Sequence, residues 1–250
     1  MTHHLAISPD VNVRNITDWF IFNTKIQRIT GVPVKATAYD DFADLQKALE
    51  EGRADIVFAN AANTAVLVRD RGYVPLATPA DVSNEAAVVV AESSNLHQVT
   101  DLGDTISVAA TDAPDIERIC RILLEPADLT PESVSLTIKP NPVLVAKAVL
   151  TGQAEAGFLP REAFDELSQV VQRQLRVLIS SKIYVVRHSM LLSPALADQV
   201  EVLWEGLKAM SDNERDRELL AALGAPNGWQ RLSQEDTEFM IDLMDALSQD

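Results

Sequence analysis

Short apolar runs, broken by charges, glycines and prolines, alternate along this chain with stretches of helical period. Residues 5–7 form a brief apolar strand that stops at Ser8-Pro9-Asp10. Trp19, Phe22, Ile26 and Ile29 then recur on one helical face, which predicts a helix to about Thr30, capped by Thr17 or Asp18 and stopped by Gly31. A strand over residues 32–38 follows. Asp40 or Asp41 caps a helix that buries Phe42, Leu45, Ala48 and Leu49 and ends at Gly52. Residues 54–59 read as a buried strand and residues 63–71 as a helix. A second block opens with the continuous apolar run Ala86–Ala91, the kind buried on both faces. Strands are predicted at residues 105–110, 134–138, 154–159 and 176–179. Pro114 suits the first turn of a helix, another helix spans residues 143–150, and residues 183–186 lead out. The last sixty-odd residues read as predominantly helical. This alternation predicts an α/β fold with largely parallel sheets.

The chain repeats itself once. Leu45-Gln46-Lys47-Ala48-Leu49-Glu50-Glu51-Gly52-Arg53-Ala54-Asp55 matches, 100 residues later and without a gap, Val145-Ala146-Lys147-Ala148-Val149-Leu150-Thr151-Gly152-Gln153-Ala154-Glu155. Each copy is an amphipathic helix, a glycine cap and an acidic residue that opens a buried strand. Any helix–glycine–strand junction shares part of this pattern; the other reading is two lobes of similar build. Two lobes need crossings, placed near residues 77–86 and 180–187. Residues 1–82 with 187–250 then make lobe 1, residues 83–186 make lobe 2, and strand ends border a cleft between them.

Composition narrows the function classes. The net charge of −16 repels phosphate backbones and anionic headgroups, which argues against nucleic-acid partners. No apolar run reaches the roughly 20 residues of a membrane span, which argues against membrane insertion. A single cysteine, Cys120, rules out an intrachain disulfide. Met1-Thr2-His3-His4 leads directly into the first strand without a leader pattern, so the expectation is a cytoplasmic protein, or a periplasmic one if a leader has been removed.

Several segments resemble one family. Gly31-Val32-Pro33-Val34, Tyr39-Asp40-Asp41-Phe42 and Gly52-Arg53-Ala54-Asp55-Ile56-Val57-Phe58 are similar to the first-lobe pattern of type II periplasmic binding proteins. The branch is that of the phosphate/phosphonate-binding receptors of ABC transporters. Residues 87–91, Thr100-Asp101-Leu102-Gly103, residues 152–158 and the tail from Leu223-Gly224-Ala225-Pro226 to Phe239 are similar to its later signatures. The resemblance implies a two-lobed receptor that captures a small molecule by hinge closure, with an ABC permease as partner if the chain is exported. It places the family's anion loop at Thr111-Asp112-Ala113-Pro114-Asp115, its histidine at Asn141, its first-lobe aromatic at Ala59 beside Asn60, and its amine-contacting glutamate at Glu162. The anion loop here carries two carboxylates, Asp112 and Asp115, and Ser180-Ser181-Lys182 lacks an acidic residue of the family. Like-charge repulsion at a helix N-terminus disfavours a dianion, so a neutral or cationic ligand is expected.

Catalytic signatures are sparse. His3, His4, His97 and His188 lack metal-ligand spacing apart from the adjacent pair at the terminus, which reads as frayed, and no phosphate-cradling glycine loop or P-loop lysine occurs. Cys120 falls in the apolar pattern of Ile116, Ile119 and Leu123 and reads as core. Trp19, Phe20 and Phe22 also read as core, Trp204 and Trp229 as packing residues of C-terminal helices, and residues 212–218 as a solvated charged face. No catalytic residue, metal site or cofactor is expected. The predicted lining is Asp10, Asn60, Asn63, Thr64, Thr111, Asp112, Asn141 and Glu162. The expected function is a solute-binding protein, with an enzyme on the same scaffold or a degenerate interaction module as alternatives.

Overall fold

The protein's computed structural model describes residues 2–11 and 16–246. They group into two compact units: Met1–Ser83 with Arg187–Asp245, and Asn84–Val186.

Unit one runs β1 (His3–Ile7), α1 (Ile16–Thr30), β2 (Val34–Ala38), α2 (Phe42–Glu50), β3 (Ile56–Ala59), α3 (Ala61–Ala65, prolonged by a π-helical turn over Val66–Asp70) and β4 (Val74–Pro79). Unit two follows with β5 (Ala86–Ala91), β6 (Ile106–Ala110), α4 (Pro114–Leu123), β7 (Val134–Ile138), α5 (Pro142–Leu150), β8 (Ala156–Pro160), α6 (Arg161–Asp165), α7 (Gln169–Gln172) and β9 (Leu175–Ser180). The chain then completes unit one with β10 (Ser189–Leu192), α8 (Val200–Ser211), α9 (Arg217–Ala222), β11 (Trp229–Arg231) and α10 (Gln234–Ala246).

Unit one holds a six-stranded sheet in the order β11-β4-β10-β3-β1-β2. β1 pairs parallel with β2 and β3, whereas β10 and β11 run antiparallel to their neighbours. Alternation assigns the two faces. Leu5, Ile7, Ile56 and Phe58 join Trp19, Phe22 and Ile26 of α1 and Leu203 and Leu207 of α8. Ala6, Val57 and Ala59 join Leu45 and Leu49 of α2 and Ile241 of α10 on the other face. Unit two holds a five-stranded sheet, β7-β6-β8-β5-β9, with β6, β7 and β8 parallel and β5 antiparallel to β8 and β9. Both sheets are therefore mixed.

The repeated segments build the same junction twice. Asp41 caps α2 by accepting the Asp44 N–H at 2.8 Å, and Asn141 caps α5 by accepting the Leu144 N–H at 3.0 Å. Gly52 and Gly152 adopt left-handed φ of 67° and 70°, so that the following N–H reaches back to Ala48 O and Ala148 O, each at 2.9 Å. The acid then staples the neighbouring strand. Asp55 accepts the His4 N–H and Glu155 accepts the Ser107 N–H, both at 2.9 Å, while each acid's own N–H donates to that residue's carbonyl.

Several expectations need correction. Thr17 and Asp18 lie inside α1, which already begins at Ile16. The third helix starts at Ala61 because Asn60 caps it. His3 and His4 are not frayed: they pair with Val34 and Lys35 in β1, and His3 Nδ1 sits 3.3 Å from Asp55. The C-terminal stretch contains β10 and β11, and Trp229 belongs to β11, where it packs in the core. β4 escapes the sequence reading because Pro75 and Pro79 suggest a linker; Pro75 lies at a register irregularity against β10, where a missing N–H is tolerated. Phe20 is 49% exposed, unlike Trp19 and Phe22. Within the charged run, Asp216 is buried and takes Lys25 Nζ at 2.6 Å.

Candidate functional site

Because β1 and β3 run parallel, their carboxyl ends meet at one edge of the first sheet. Ser8, Pro9 and Asp10 follow β1, and Asn60 follows β3. β10 runs the other way with Ser189 opposite Ala59, which carries His188 to the same edge. Three side chains converge there on one carboxylate. Asn60 Nδ2 donates to Asp10 Oδ2 at 2.9 Å, His188 Nε2 lies 3.2 Å from Asp10 Oδ1, and the Ser8 hydroxyl donates to that same oxygen.

An aromatic floor supports the cluster. The Phe58 ring stacks on His188 with centroids 5.3 Å apart, and Trp19 and Trp229 pack on Phe58 at 5.2 and 5.9 Å. The Asp10 side chain is 13% exposed. Burial by itself would raise its pKa, but the His188 charge and the hydrogen bonds from His188, Ser8 and Asn60 outweigh burial and hold the carboxyl below its ordinary value. Asp10 is therefore ionised at neutral pH. Three donors occupy three of its roughly four lone-pair sites.

Asn60, fully buried, faces both ways. Its Nδ2 serves Asp10, its Oδ1 accepts the Asn63 N–H at 2.9 Å, and its carbonyl accepts the buried Thr64 hydroxyl at 2.7 Å. Asn63 and Thr64 thus sit on the helix that Asn60 caps; the Thr64 hydroxyl is committed to that helix, and the Asn63 side chain is half-buried.

The other four predicted residues lie at the carboxyl edge of the second sheet. Thr111, half-buried, and Asp112, exposed, follow β6. Asn141 is exposed and its Oδ1 is engaged as the α5 cap. Glu162, exposed, stands in the first turn of α6 after β8. Asp115, 1% exposed, occupies the first turn of α4, whose N-cap Ala113 brings no side-chain cap of its own. The structure therefore joins Asp10 to Asn60 directly, and it distributes Thr111, Asp112, Asn141 and Glu162 over one edge of the second unit.

Sequence reasoning passed over His188 and Phe58. For His188 the available signal was the apolar run from Met190 to Leu192, which marks a strand and makes His188 a strand-end residue. Cys120 is fully buried on α4 with Sγ 3.7 Å from the Ala87 carbonyl, and burial pushes its thiol pKa up. Among the described residues no group of three or more His, Cys, Asp or Glu side chains is arranged to hold a metal, and no helix is long and apolar enough to cross a membrane.

Solved structures share this fold over nearly the full chain. PhnD1 from Prochlorococcus marinus, in complex with methylphosphonate, superposes with a TM-score of 0.79 at 11% identity, covering 100% of this chain and 99% of its own. XAC2383 from Xanthomonas citri, bound to chloride ion, gives 0.78 at 16% identity over 99% and 97%. The periplasmic aliphatic sulphonate binding protein SsuA from Escherichia coli gives 0.69 at 15% identity over 99% and 91%. Comparison with curated proteins finds no match. The family model described as ABC transporter, phosphonate, periplasmic substrate-binding protein matches residues 5–237. Its span takes in both units, the repeated junctions and the Asp10 cluster, and the chain accordingly belongs to the periplasmic substrate-binding proteins of the phosphonate ABC-transporter family.

Proposed function

We propose that this protein is a receptor for a small neutral or cationic solute, which it hands to an ABC permease, and that it performs no chemistry on that solute. The observation that carries the reading is the ionised Asp10 carboxylate, built into the strand-end edge of unit one by Ser8, Asn60 and His188. A phosphonate or phosphate dianion brought to such a group meets like-charge repulsion that a poorly hydrated site screens weakly. Unit two supports the same preference, since Asp112 and Asp115 stand at the start of α4, where the helix dipole would otherwise favour an anion. At the edge of unit one the residues proposed to contact solute are Asp10 and Asn60, with Asn63 and Thr64 on the helix that Asn60 caps; at the edge of unit two they are Thr111, Asp112, Asn141 and Glu162.

The test is a thermal-shift panel of methylphosphonate, phosphate, an alkanesulfonate, amino acids and polyamines, followed by calorimetric titration of whatever raises Tm. A neutral or cationic compound is expected to stabilise the wild type. If that compound is cationic, Asp10→Asn is expected to weaken it about tenfold, as loss of a partly buried charge partner does. Stabilisation by methylphosphonate or phosphate that disappears in Thr111→Ala or Asn141→Ala would overturn the ligand class while leaving the receptor role intact.

A further inference from the structure

Each sheet ends in two edge strands, and three of the four carry a basic residue. β2 holds Lys35, β11 ends on Arg231, and β9 holds Arg176, whose guanidinium bonds the Ser94 and Leu96 carbonyls at 2.8 Å. A charge on an edge strand is one of the devices that keep it from pairing with another chain. β7 has no such device. Val134-Ser135-Leu136-Thr137-Ile138 contains no charge, proline or glycine, and its register with β6 runs without a bulge. Among the described residues, β6 is the one strand that pairs with it.

Side chains alternate regularly along β7. Val134, Leu136 and Ile138 stand level with Ile106, Val108 and Ala110 of β6, all three buried, so they belong to the core face of the sheet. They are covered only in part: Val134 and Leu136 are half-buried, and Ile138 is 50% exposed. Ser135 and Thr137 lie on the other face and are exposed. The backbone follows the same parity. Lys139 N–H donates to the Ala110 carbonyl at 2.7 Å, and in a parallel ladder alternate residues of a strand turn their N–H and C=O to one neighbour. Ser135, Thr137 and Lys139 therefore serve β6, whereas Val134, Leu136 and Ile138 direct both backbone groups outward.

One antiparallel register uses all of these features at once. With Leu136 set opposite Leu136 of a second copy, Val134 meets Ile138 and Ser135 meets Thr137. The outward backbone groups then fall at hydrogen-bonded pairs. Apolar side chains meet apolar ones on the core face, and hydroxyls meet hydroxyls on the other. The flanks carry opposite charges, Glu132 before the strand and Lys139 after it, so antiparallel pairing sets each beside its opposite. A shift of two residues would set Ile138 against Glu132, or Val134 against Pro140. A shift of one would turn the apolar set to the wrong face.

We infer that β7 is a self-association edge, at which two copies of this chain pair antiparallel through Val134–Ile138 and join their second sheets into one. The pairing is two-fold symmetric, so it occupies the same edge of both copies and closes at a dimer. An edge of 5 residues buries little surface, so the dimer is weak and forms as concentration rises. The inference is independent of the ligand and of the receptor reading.

Sedimentation equilibrium of the full chain from about 1 μM to about 1 mM covers that range of affinity. Salt at about 0.15 M screens the repulsion between chains of charge −16. Wild type is expected to move from the mass of one chain to that of two. Two double substitutions at the exposed positions then test the register without touching the core. Ser135→Glu with Thr137→Glu sets like charges directly opposite at two cross-strand pairs and should weaken the dimer roughly two- to thirtyfold. Ser135→Glu with Thr137→Lys sets opposite charges there and should leave the dimer at least as tight as in wild type. Circular dichroism spectra matching wild type at the lowest concentration show that both variants fold. A wild type that keeps the mass of one chain throughout overturns the inference. So does a dimer that both variants hold equally well, which places the contact elsewhere, and so does a mass that climbs past two chains, which denies a closed two-fold pairing.

Discussion

Removing the Asp10 side chain tests the physics of the strand-end cluster most directly. In Asp10→Ala three donors lose their acceptor: Asn60 Nδ2, the Ser8 hydroxyl and the His188 ring. Asn60 is fully buried, and a buried amide left without a partner costs about 1–3 kcal/mol. Ser8, 1% exposed, loses the acceptor of its hydroxyl, and that bond adds about 0.5–1.5 kcal/mol. His188 reaches some water at 15% side-chain exposure and contributes least. The total, roughly 2–4 kcal/mol, is a large part of the 5–15 kcal/mol typical of a whole domain. Asp10→Asn keeps the shape but sets one amide donor against another, for about 1–3 kcal/mol.

The pH dependence supplies a second, independent check. The folded pKa of Asp10 lies below its reference value of 3.8, so the stabilisation is fully present above that value and is lost as pH falls through the folded pKa. The gap between wild type and Asp10→Asn should therefore be constant from neutral pH down to about pH 5 and shrink below pH 4. Urea unfolding followed by tryptophan fluorescence suits the purpose, because Trp19 and Trp229 flank Phe58 beneath the cluster. A cost under about 0.5 kcal/mol for Asp10→Ala, or a gap indifferent to acid, would refute the account of Asp10 as a buried, multiply bonded carboxylate.

Two further substitutions probe the scaffold. At Gly52 and Gly152 an added Cβ meets nothing within 4 Å, so alanine at either should cost only the conformational penalty of its positive φ, about 1–2 kcal/mol, and nearly the same at both; unequal costs in matched urea titrations would deny that the two junctions are equivalent. At Gly157 a Cβ would stand 2.9 Å from Val145 Cγ1, 3.0 Å from Val149 Cγ2 and 3.1 Å from Val89 Cγ2, so Gly157→Ala should overpack the β8–α5 contact and lower the urea midpoint by the equivalent of about 1–3 kcal/mol, with the circular dichroism spectrum unchanged.

The contrast between the two sites of the repeat and the site at Asp10 shows what a sequence can convey here. Residues 45–55 and 145–155 were legible because every force that shapes them is local. A 3.6-residue apolar period, a glycine free to turn left-handed and an acid at the strand opening act within one or two turns of chain. That the acids bond to His4 and Ser107 was not legible, since those partners are supplied by neighbouring strands 51 and 48 residues away. β4, β10 and β11 were missed for a related reason. Each is short, β4 carries two prolines, and antiparallel pairing to distant partners rather than intrinsic preference makes them strands.

By itself, then, the sequence determined the alternation of strands and helices, the duplicated junction, the cap of α2 at Asp40 or Asp41, and the acidic character of the chain. Tertiary structure alone decided that Asp10 would meet His188, 178 residues further on, with Phe58 beneath and Asn60 alongside. The reason is physical. Periodicity and capping are written in neighbouring residues, whereas a carboxylate finds its donors only after β1, β3 and β10 have paired and brought their ends to one edge.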